Sequence, residues 1–242
     1  MASRAVTHPR PRPVASDSIA PGEATRGALL RAATDVFLAH GFRAARVQDI
    51  AAAAGVRLSA ISYHFGGKAG LYLAVLEHHA QLALARSPWP RPDPAAPIEL
   101  RFRGLVDALV RRMLDPDSPS RIASLLVREA ANPTDALDVM FERFTRPQAE
   151  TVFALLRERF GPRTPRDVLA QVALSVVGQV MVYAALRPIV ERLRPGFYQR
   201  GDGLDQLVEH VSRFSWAGIE AVASERARRT RAIEPRRGRR AR

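Results

Sequence analysis

The tract from Arg46 to Leu71 constrains the fold most strongly, because it predicts two short helices joined by a tight turn and followed by a third helix. In the first segment, about Val47 to Ala54, apolar residues recur at i, i+3, i+4 and i+7, which predicts one buried face. Gly55 follows this segment and should end the helix in the left-handed conformation. Val56 is then expected to fold back over the buried face. The pattern is typical of a helix-turn-helix.

The second segment, about Leu58 to His64, carries polar side chains on the face opposite Ile61 and Phe65. In helix-turn-helix proteins such a helix lies in the major groove and its side chains contact base edges, while neighbouring cations hold phosphates. A plain helical hairpin is the alternative that these residues leave open. The predicted base contacts come from the second segment, and phosphate contacts from the flanking basic residues. The candidate DNA-binding residues are Arg46, Gln48, Arg57, Ser59, Ser62, Tyr63, His64 and Lys68.

Several short motifs give this tract a family resemblance. They are Gly41-Phe42, Val47, Asp49-Ile50-Ala51, Ala54-Gly55-Val56, Tyr63-His64-Phe65 and Lys68. The chain resembles the TetR family of bacterial transcription regulators over about residues 25 to 76, and AISYHFGGKAGLY is most similar to the CecR-like branch. The resemblance implies a homodimer that binds a palindromic operator in double-stranded DNA and a small-molecule effector that releases it. A repressor is the favoured interpretation.

Three positions depart from the family pattern. Arg57 stands where a small hydroxyl residue usually opens the recognition helix, Ser62 replaces a tyrosine, and Arg46 replaces a threonine. The resemblance therefore carries the docking mode to this chain but not the operator sequence.

The rest of the chain predicts helices only, with no β alternation. Helical patterns extend over residues 25–41, 98–114, 120–131, 134–160, 165–186 and 204–224. The five-proline stretch 87–97 follows a long helix that runs through Ala85, and it separates this helix from the helices of the C-terminal part. The predicted fold class is all-α, with an N-terminal three-helix helix-turn-helix DNA-binding domain plus a C-terminal helical ligand-binding and dimerisation domain. Thr25 is the predicted N-cap of the first helix.

Charge is unevenly distributed along the 242 residues. Of the formal net charge of +13, residues 25–72 contribute +4, residues 73–224 only +1, and residues 225–242 contribute +7. We therefore predict a disordered N-terminal arm over 1–24, a DNA-binding domain over 25–72, a nearly neutral ligand and dimer domain over 73–224, and a disordered arginine-rich tail over 225–242. The tail either binds phosphates or only raises solubility.

The segment from Val168 to Leu186 is the most hydrophobic in the chain and has transmembrane length. Gln171, Ser175 and Gln179 recur every four residues, so we predict a buried helix of a bundle and no membrane partner. The last helical pattern has an apolar stripe of five turns that requires a partner. The resemblance implies that these two helices pair with their copies in a second subunit. The predicted dimer residues are Gly178, Val182, Val211, Phe214 and Gly218.

A ligand cavity is predicted among the helices of the C-terminal domain. The resemblance and an arginine placed among apolar helices support this cavity, although aromatic and methionine residues are more often ordinary core. Arg128 with Glu129 could equally form a structural ion pair. The candidate cavity residues are Phe102, Met113, Arg128, Phe141, Phe153 and Tyr183.

The sequence contains no motif that supports an enzyme function. The six histidines are scattered, no P-loop, GxSxG or HExxH motif is present, and the chain has no cysteine. We therefore predict no catalytic residue, no metal site and no cofactor. The absence of cysteine and of a signal-length apolar N-terminal run agrees with a reducing cytoplasm, in association with the bacterial nucleoid. A DNA-organising protein of the same fold that needs no inducer is the alternative function.

Overall fold

The computed structural model describes residues 21–91 and 93–233, and this part of the chain contains α-helices, one π-helical turn and loops, but no strand. The helices are α1 (Pro21–Ala44), α2 (Val47–Ala53), α3 (Ser59–Phe65), α4 (Lys68–Arg86), α5 (Ile98–Leu114), α6 (Ile122–Ala131), α7 (Ala136–Met140), the π turn (Phe141–Thr145), α8 (Arg146–Phe160), α9 (Arg166–Ala185), α10 (Arg187–Leu193) and α11 (Gly203–Ile233). The predicted all-α class is confirmed.

The first helix begins earlier than its sequence pattern predicts. It starts at Pro21 and not after Thr25, because proline is favourable in the first turn of a helix and Glu23 is an acidic residue in that turn. The prediction of a disordered arm is therefore wrong for residues 21–24, and residues 1–20 lie outside the described part. The helical path is interrupted at Gly41, where φ is 73°, in agreement with the predicted end of this helix.

The turn after α2 has the geometry expected from Gly55. The residue has φ of 67°. Its N–H donates to the Ala52 carbonyl at 3.1 Å, and the Val56 N–H donates to the Ala51 carbonyl at 3.0 Å. This pair of hydrogen bonds is a Schellman motif. Val56 packs against the buried core of the N-terminal helices, as predicted.

The described part of the chain has two hydrophobic cores. The first is formed by α1 to α4 together with residues of α6 and α7, including Leu125 and Met140. The second is formed chiefly by α5, α8, α9 and α11. The predicted boundary between residues 72 and 73 falls inside α4, a single helix of 19 residues. Elements from beyond the proline-rich stretch thus complete the core on which the DNA-binding helices rest.

The start of the arginine-rich tail is helical, so the prediction of disorder is wrong for residues 225–233. Helix α11 continues to Ile233, because arginine is a good helix former and Arg229 pairs with Glu225 one turn earlier. Residues 234–242 lie outside the described part.

Two further elements differ from the predicted pattern. Residues predicted as one helix over 134–160 form α7, the π turn and α8 in direct succession, with Pro147 in the first turn of α8. Helix α10, which begins at Arg187 directly after α9, is absent from the predicted set.

Candidate DNA-binding surface and effector cavity

The recognition helix α3 is held by one buried side chain and presents a polar outer face. Ile61 is 2% exposed and packs in the first core, whereas Tyr63 is 85% exposed. The candidate DNA-contacting residues that are exposed are Arg46, Gln48, Arg57, Ser59, Ser62 and Tyr63. The structure therefore brings six of the eight candidates together at the accessible surface of α2, α3 and the turns that flank them.

The two remaining DNA candidates are partly buried. The Lys68 ammonium donates to the Arg43 carbonyl at 3.1 Å and lies 4.9 Å from the centre of the Phe42 ring. The His64 ring packs edge-on against the Tyr63 ring at 4.9 Å between centroids. Lys68 thus fixes the start of α4 against the end of α1, in addition to any phosphate it contacts.

Gly70 was not identified from the sequence, although the position of the recognition helix depends on it. A Cβ at this position would lie 1.8 Å from the carbonyl oxygen of Phe65, the last residue of α3. Only glycine allows α4 to approach α3 so closely. No local sequence signal marks this requirement, because Gly70 lies inside α4 with no turn around it.

A cavity of about 460 Å³ lies between α4, α5, α6, the π turn, α8 and α9. Four of the six predicted cavity residues line it: Phe102, Met113, Phe141 and Phe153. Its other lining residues are mostly aliphatic or aromatic. The volume and the apolar lining are those of a pocket for a small organic molecule.

Arg128 and Tyr183 are not among the cavity-lining residues, so their prediction is corrected. Arg128 is exposed on α6, whereas its neighbour Glu129 is buried. Tyr183 packs against the Phe197 ring at 5.3 Å, and its carbonyl accepts a hydrogen bond from the Tyr198 hydroxyl. Because adjacent residues of a helix point about 100° apart, the Arg128-Glu129 pair could not direct both side chains inward.

One of the cavity-lining arginines, Arg112, is only 6% exposed and is absent from the predicted cavity residues. Its Nη1 donates to Gln148 Oε1 at 2.7 Å and its Nη2 to the Ser87 carbonyl at 2.8 Å. Its guanidinium lies 5.1 Å from the centre of the Trp89 ring. Burial lowers the pKa of Arg112 to about 10. The only sequence signal was an Arg111-Arg112 pair, of which periodicity alone does not identify the inward member.

The predicted dimer residues fall into two groups. Gly178, Val182, Phe214 and Gly218 are exposed, and the exposed fraction of Phe214 reaches 66%. Val211 is 1% exposed and belongs to the second core, so its assignment to an intersubunit surface is wrong. The apolar i, i+3, i+4 repeat of α11 includes residues of an inward face and residues of an outward face.

Helix α9 is less buried than its hydrophobicity predicts. It is the one described helix long and apolar enough to cross a membrane, yet only 17% of its most apolar 18-residue stretch is buried. Its polar stripe is partly satisfied within the chain, since Gln179 Nε2 donates to Ser215 Oγ of α11 at 2.9 Å. Exposed Leu174, Val177 and Val182 remain on its surface.

A buried hydrogen bond joins α4 to the end of α6. The Tyr72 hydroxyl donates to Glu129 Oε2 at 2.7 Å. Glu129 Oε1 accepts from the Thr134 N–H at 2.7 Å and from the Thr134 hydroxyl at 2.8 Å. The carboxylate is thus held from two directions by three donors.

A second buried network includes His79 of α4. Its Nδ1 accepts from the Arg121 N–H at 3.1 Å, so its Nε2 carries the proton and donates to Thr34 Oγ1 at 3.0 Å. The Thr34 hydroxyl donates to the Leu30 carbonyl at 2.8 Å. Burial, and to a smaller extent His78 and Arg121, lower the pKa of His79 to about 4. These bonds connect α1 to the loop that precedes α6 through a neutral imidazole.

Comparison with known proteins agrees with this geometry. Residues 29–75 match the family described as bacterial regulatory proteins, tetR family. Residues 98–219 match the C-terminal domain of the HTH-type transcriptional dual regulator CecR. The chain belongs to the TetR family. The first match covers the helix-turn-helix and the start of α4. The second covers most of the cavity-lining residues and most of the exposed apolar surface of α9 and α11.

Individual TetR-family relatives are similar over parts of their length. The dual regulator CecR of Shigella flexneri is 31% identical over 137 residues, which are 52% of this chain and 60% of that protein. The HTH-type transcriptional activator FasR of Mycolicibacterium smegmatis is 46% identical over 59 residues, or 24% and 27% of the two chains. The matches thus span less than two thirds of these relatives. A TetR-like regulator from Rhodococcus sp. RHA1 has the same fold, with a TM-score of 0.55, 21% identity and coverage of 80% and 96%.

Among the described residues, no group of three or more histidine, aspartate or glutamate side chains could hold a metal ion. The family and its relatives are transcription regulators and not enzymes.

Proposed function

We propose that this protein regulates transcription by binding a palindromic operator in double-stranded DNA, with α3 of each subunit in the major groove. The observation that carries the proposal is the outer face of α3, where polar side chains and Tyr63 are exposed over the buried Ile61. Arg57 and Tyr63 are assigned to base edges, and Arg46 and Lys68 to phosphates.

Sequencing DNA fragments selected by the purified protein tests the proposal. A palindrome should be enriched, with half-sites about 34–36 Å apart or a multiple of that distance, as two recognition helices on one face of the duplex require. Arg57→Ala or Tyr63→Ala should weaken the selected site by about 1–3 kcal/mol wherever a base contact is lost. Arg192→Ala, an exposed arginine on α10, is the control and should bind normally. Selection of unrelated fragments would favour the inducer-free DNA-organising function instead.

The operator-binding unit that we propose is a homodimer formed through α9 and α11. The support is the exposed apolar surface that one chain leaves uncovered, including Val182 and Phe214 beside the small residues Gly178 and Gly218. Burying such a surface against its own copy is the usual solution for symmetric helical proteins. The same contact would cover α9 without a membrane, consistent with a location in the cytoplasm.

Light scattering of Phe214→Glu tests the dimer. A charge at this position would be buried without a partner in the assembly, so the variant should be monomeric at micromolar concentration. Tyr63→Glu, an equally drastic change at an exposed aromatic of the DNA-binding face, should remain dimeric. A dimeric Phe214→Glu protein would place the subunit contact elsewhere.

We further propose that a small molecule in the cavity lowers operator affinity. The supporting observation is that Ala80, Ala83 and Leu84 of α4 line the cavity, while the first turn of the same helix packs on α3. A ligand that fits one orientation of α4 better than another shifts the recognition helix accordingly. Repression is the proposed outcome. Because the relatives are named a dual regulator and an activator, a reporter with the operator placed over the promoter should be used to test it.

A further inference from the structure

The cavity combines an apolar lining with an uncompensated positive charge. Three arginines and no aspartate or glutamate occur among its lining residues. Arg146 pairs with Glu142, and Arg166 pairs with Glu150 at 2.6 Å. Arg112 has no carboxylate within ion-pair distance in the described part of the chain, although it is the most deeply buried of the three. A buried unpaired charge is destabilising unless something supplies the missing partner.

The hydrogen bonds of Arg112 are incomplete as well. A guanidinium has five N–H donors in a planar fork, and the structure gives Arg112 two acceptors, Gln148 and the Ser87 carbonyl. Its Nε is buried and has no acceptor. Gln148 is itself fixed, because its Nε2 donates to the Phe144 carbonyl of the π turn at 2.8 Å. The guanidinium is therefore held in place at the cavity wall, and some of its N–H groups have no acceptor.

We propose that the cavity binds an organic carboxylate carried on an apolar body, with the carboxylate at Arg112 and the body among Phe102, Phe153 and the neighbouring apolar side chains. This inference rests on the proposed effector function and specifies the chemistry of the effector. The planar fork of an arginine matches a carboxylate in a bidentate manner. A single uncompensated cation fits one negative charge, so a monoanionic carboxylate matches it better than a dianionic phosphate.

The alternative is a purely structural Arg112 that anchors the Ser87 carbonyl and stacks on Trp89. Under that alternative the arginine contributes to folding but gives the cavity no preference between an acid and its neutral analogue. The two explanations therefore predict different ratios between the affinity for an acid and the affinity for its neutral analogue. A measurement of stability alone would not distinguish them.

Calorimetric titration with octanoate, 4-phenylbutyrate and decanoate, each beside the matched primary alcohol, measures this ratio. A hydrogen-bonded charged headgroup contributes about 1.5–3 kcal/mol, so at least one carboxylate should bind about 10- to 150-fold more tightly than its alcohol. In a Trp216→Phe protein, Trp89 is the single tryptophan, and its emission should change on binding because its ring lies over the Arg112 guanidinium. Octyl phosphate serves as the dianionic comparison.

Arg112→Met should reduce the carboxylate preference to about one, while Arg166→Met should keep it. Both variants remove one positive charge from the same cavity, so general electrostatic attraction is matched between them. If Arg112→Met loses its helical circular dichroism, Arg112→Lys provides the test: it keeps the charge without the fork and should reduce the preference several-fold.

Several results would overturn the inference. They are the absence of a carboxylate preference for all three acids, including a complete failure to bind, a preference that survives in Arg112→Met, or an octyl phosphate that binds more tightly than any carboxylate. Operator binding is measured separately. A carboxylate that binds through Arg112 without weakening operator binding would count against the proposed effector function alone. Equal release by acids and alcohols would overturn the carboxylate assignment while supporting the effector function.

Discussion

Removal of one hydroxyl group, in Tyr72→Phe, should measurably destabilise the joint between α4 and α6. The Tyr72 hydroxyl donates to a carboxylate, Glu129, that is only 1% exposed. A hydrogen bond to a buried charged group contributes about 1.5–3 kcal/mol. Glu129 would keep its two donors from Thr134, so a loss of about 2 kcal/mol is expected. For a chain of this length that loss corresponds to about 4–8 °C in Tm.

Urea and thermal unfolding of the full chain test this prediction. Burial, followed by the bond to Glu129, raises the pKa of Tyr72 well above its ordinary value, so the phenol remains a donor and the loss should be the same at pH 7 and pH 9. Tyr63→Phe removes a hydroxyl at a surface position and should change stability by less than about 0.5 kcal/mol. Glu129→Gln combined with Tyr72→Phe completes a double-mutant cycle that isolates the pair. A loss below about 0.5 kcal/mol for Tyr72→Phe would refute a buried, energetically coupled bond.

Two further predictions concern neighbouring parts of the same assembly. The folded protein holds the pKa of His79 at about 4, below an unfolded value of about 6.5. The stabilisation from its neutral imidazole is therefore complete above pH 6.5 and is lost as the pH falls towards 4. Because of this group, the free energy of unfolding should be about 2 kcal/mol lower at pH 5.0 than at pH 7.5, and this pH difference should shrink by that amount in His79→Gln. Gly70→Ala should cost about 1–3 kcal/mol through overpacking against Phe65 and weaken operator binding in gel shifts, whereas Gly104→Ala, where a Cβ meets nothing within 4 Å, should do neither.

The sequence contained enough local information to predict most helices. Helix α5 has the predicted limits Ile98 and Leu114, Gly55 has the predicted left-handed conformation, and Val56 packs on the first core as predicted. These features depend on periodicity and on one backbone conformation, both of which are local. The end of α11 differs from its prediction because the high charge of an arginine-rich run predicts disorder, whereas i, i+4 pairing of Arg229 with Glu225 supports a helix.

The cavity could be predicted only in part because inward and outward faces depend on contacts between distant helices. Phe102 and Phe153 are apolar enough to be placed inside from their type alone. The choice between Arg112 and Arg128 depends on how α5 and α6 are rotated about their axes, which no short pattern specifies. Val211 and Phe214 show the same limit, since both lie in one apolar repeat but on different faces of α11.

The π turn at Phe141–Thr145 limits how the number of residues between α7 and α8 can change. Such a turn contains one residue more than an α-helical turn, and it stands between α7, whose Met140 packs in the first core, and α8, whose Leu156 packs in the second. Deletion of one residue here would leave a regular helix but rotate α8 by about 100° relative to α7. Both helices could not then keep their apolar faces inward at once. In this segment, deletion of a single residue should therefore destabilise the fold far more than substitution of the exposed residues Glu142 or Arg143.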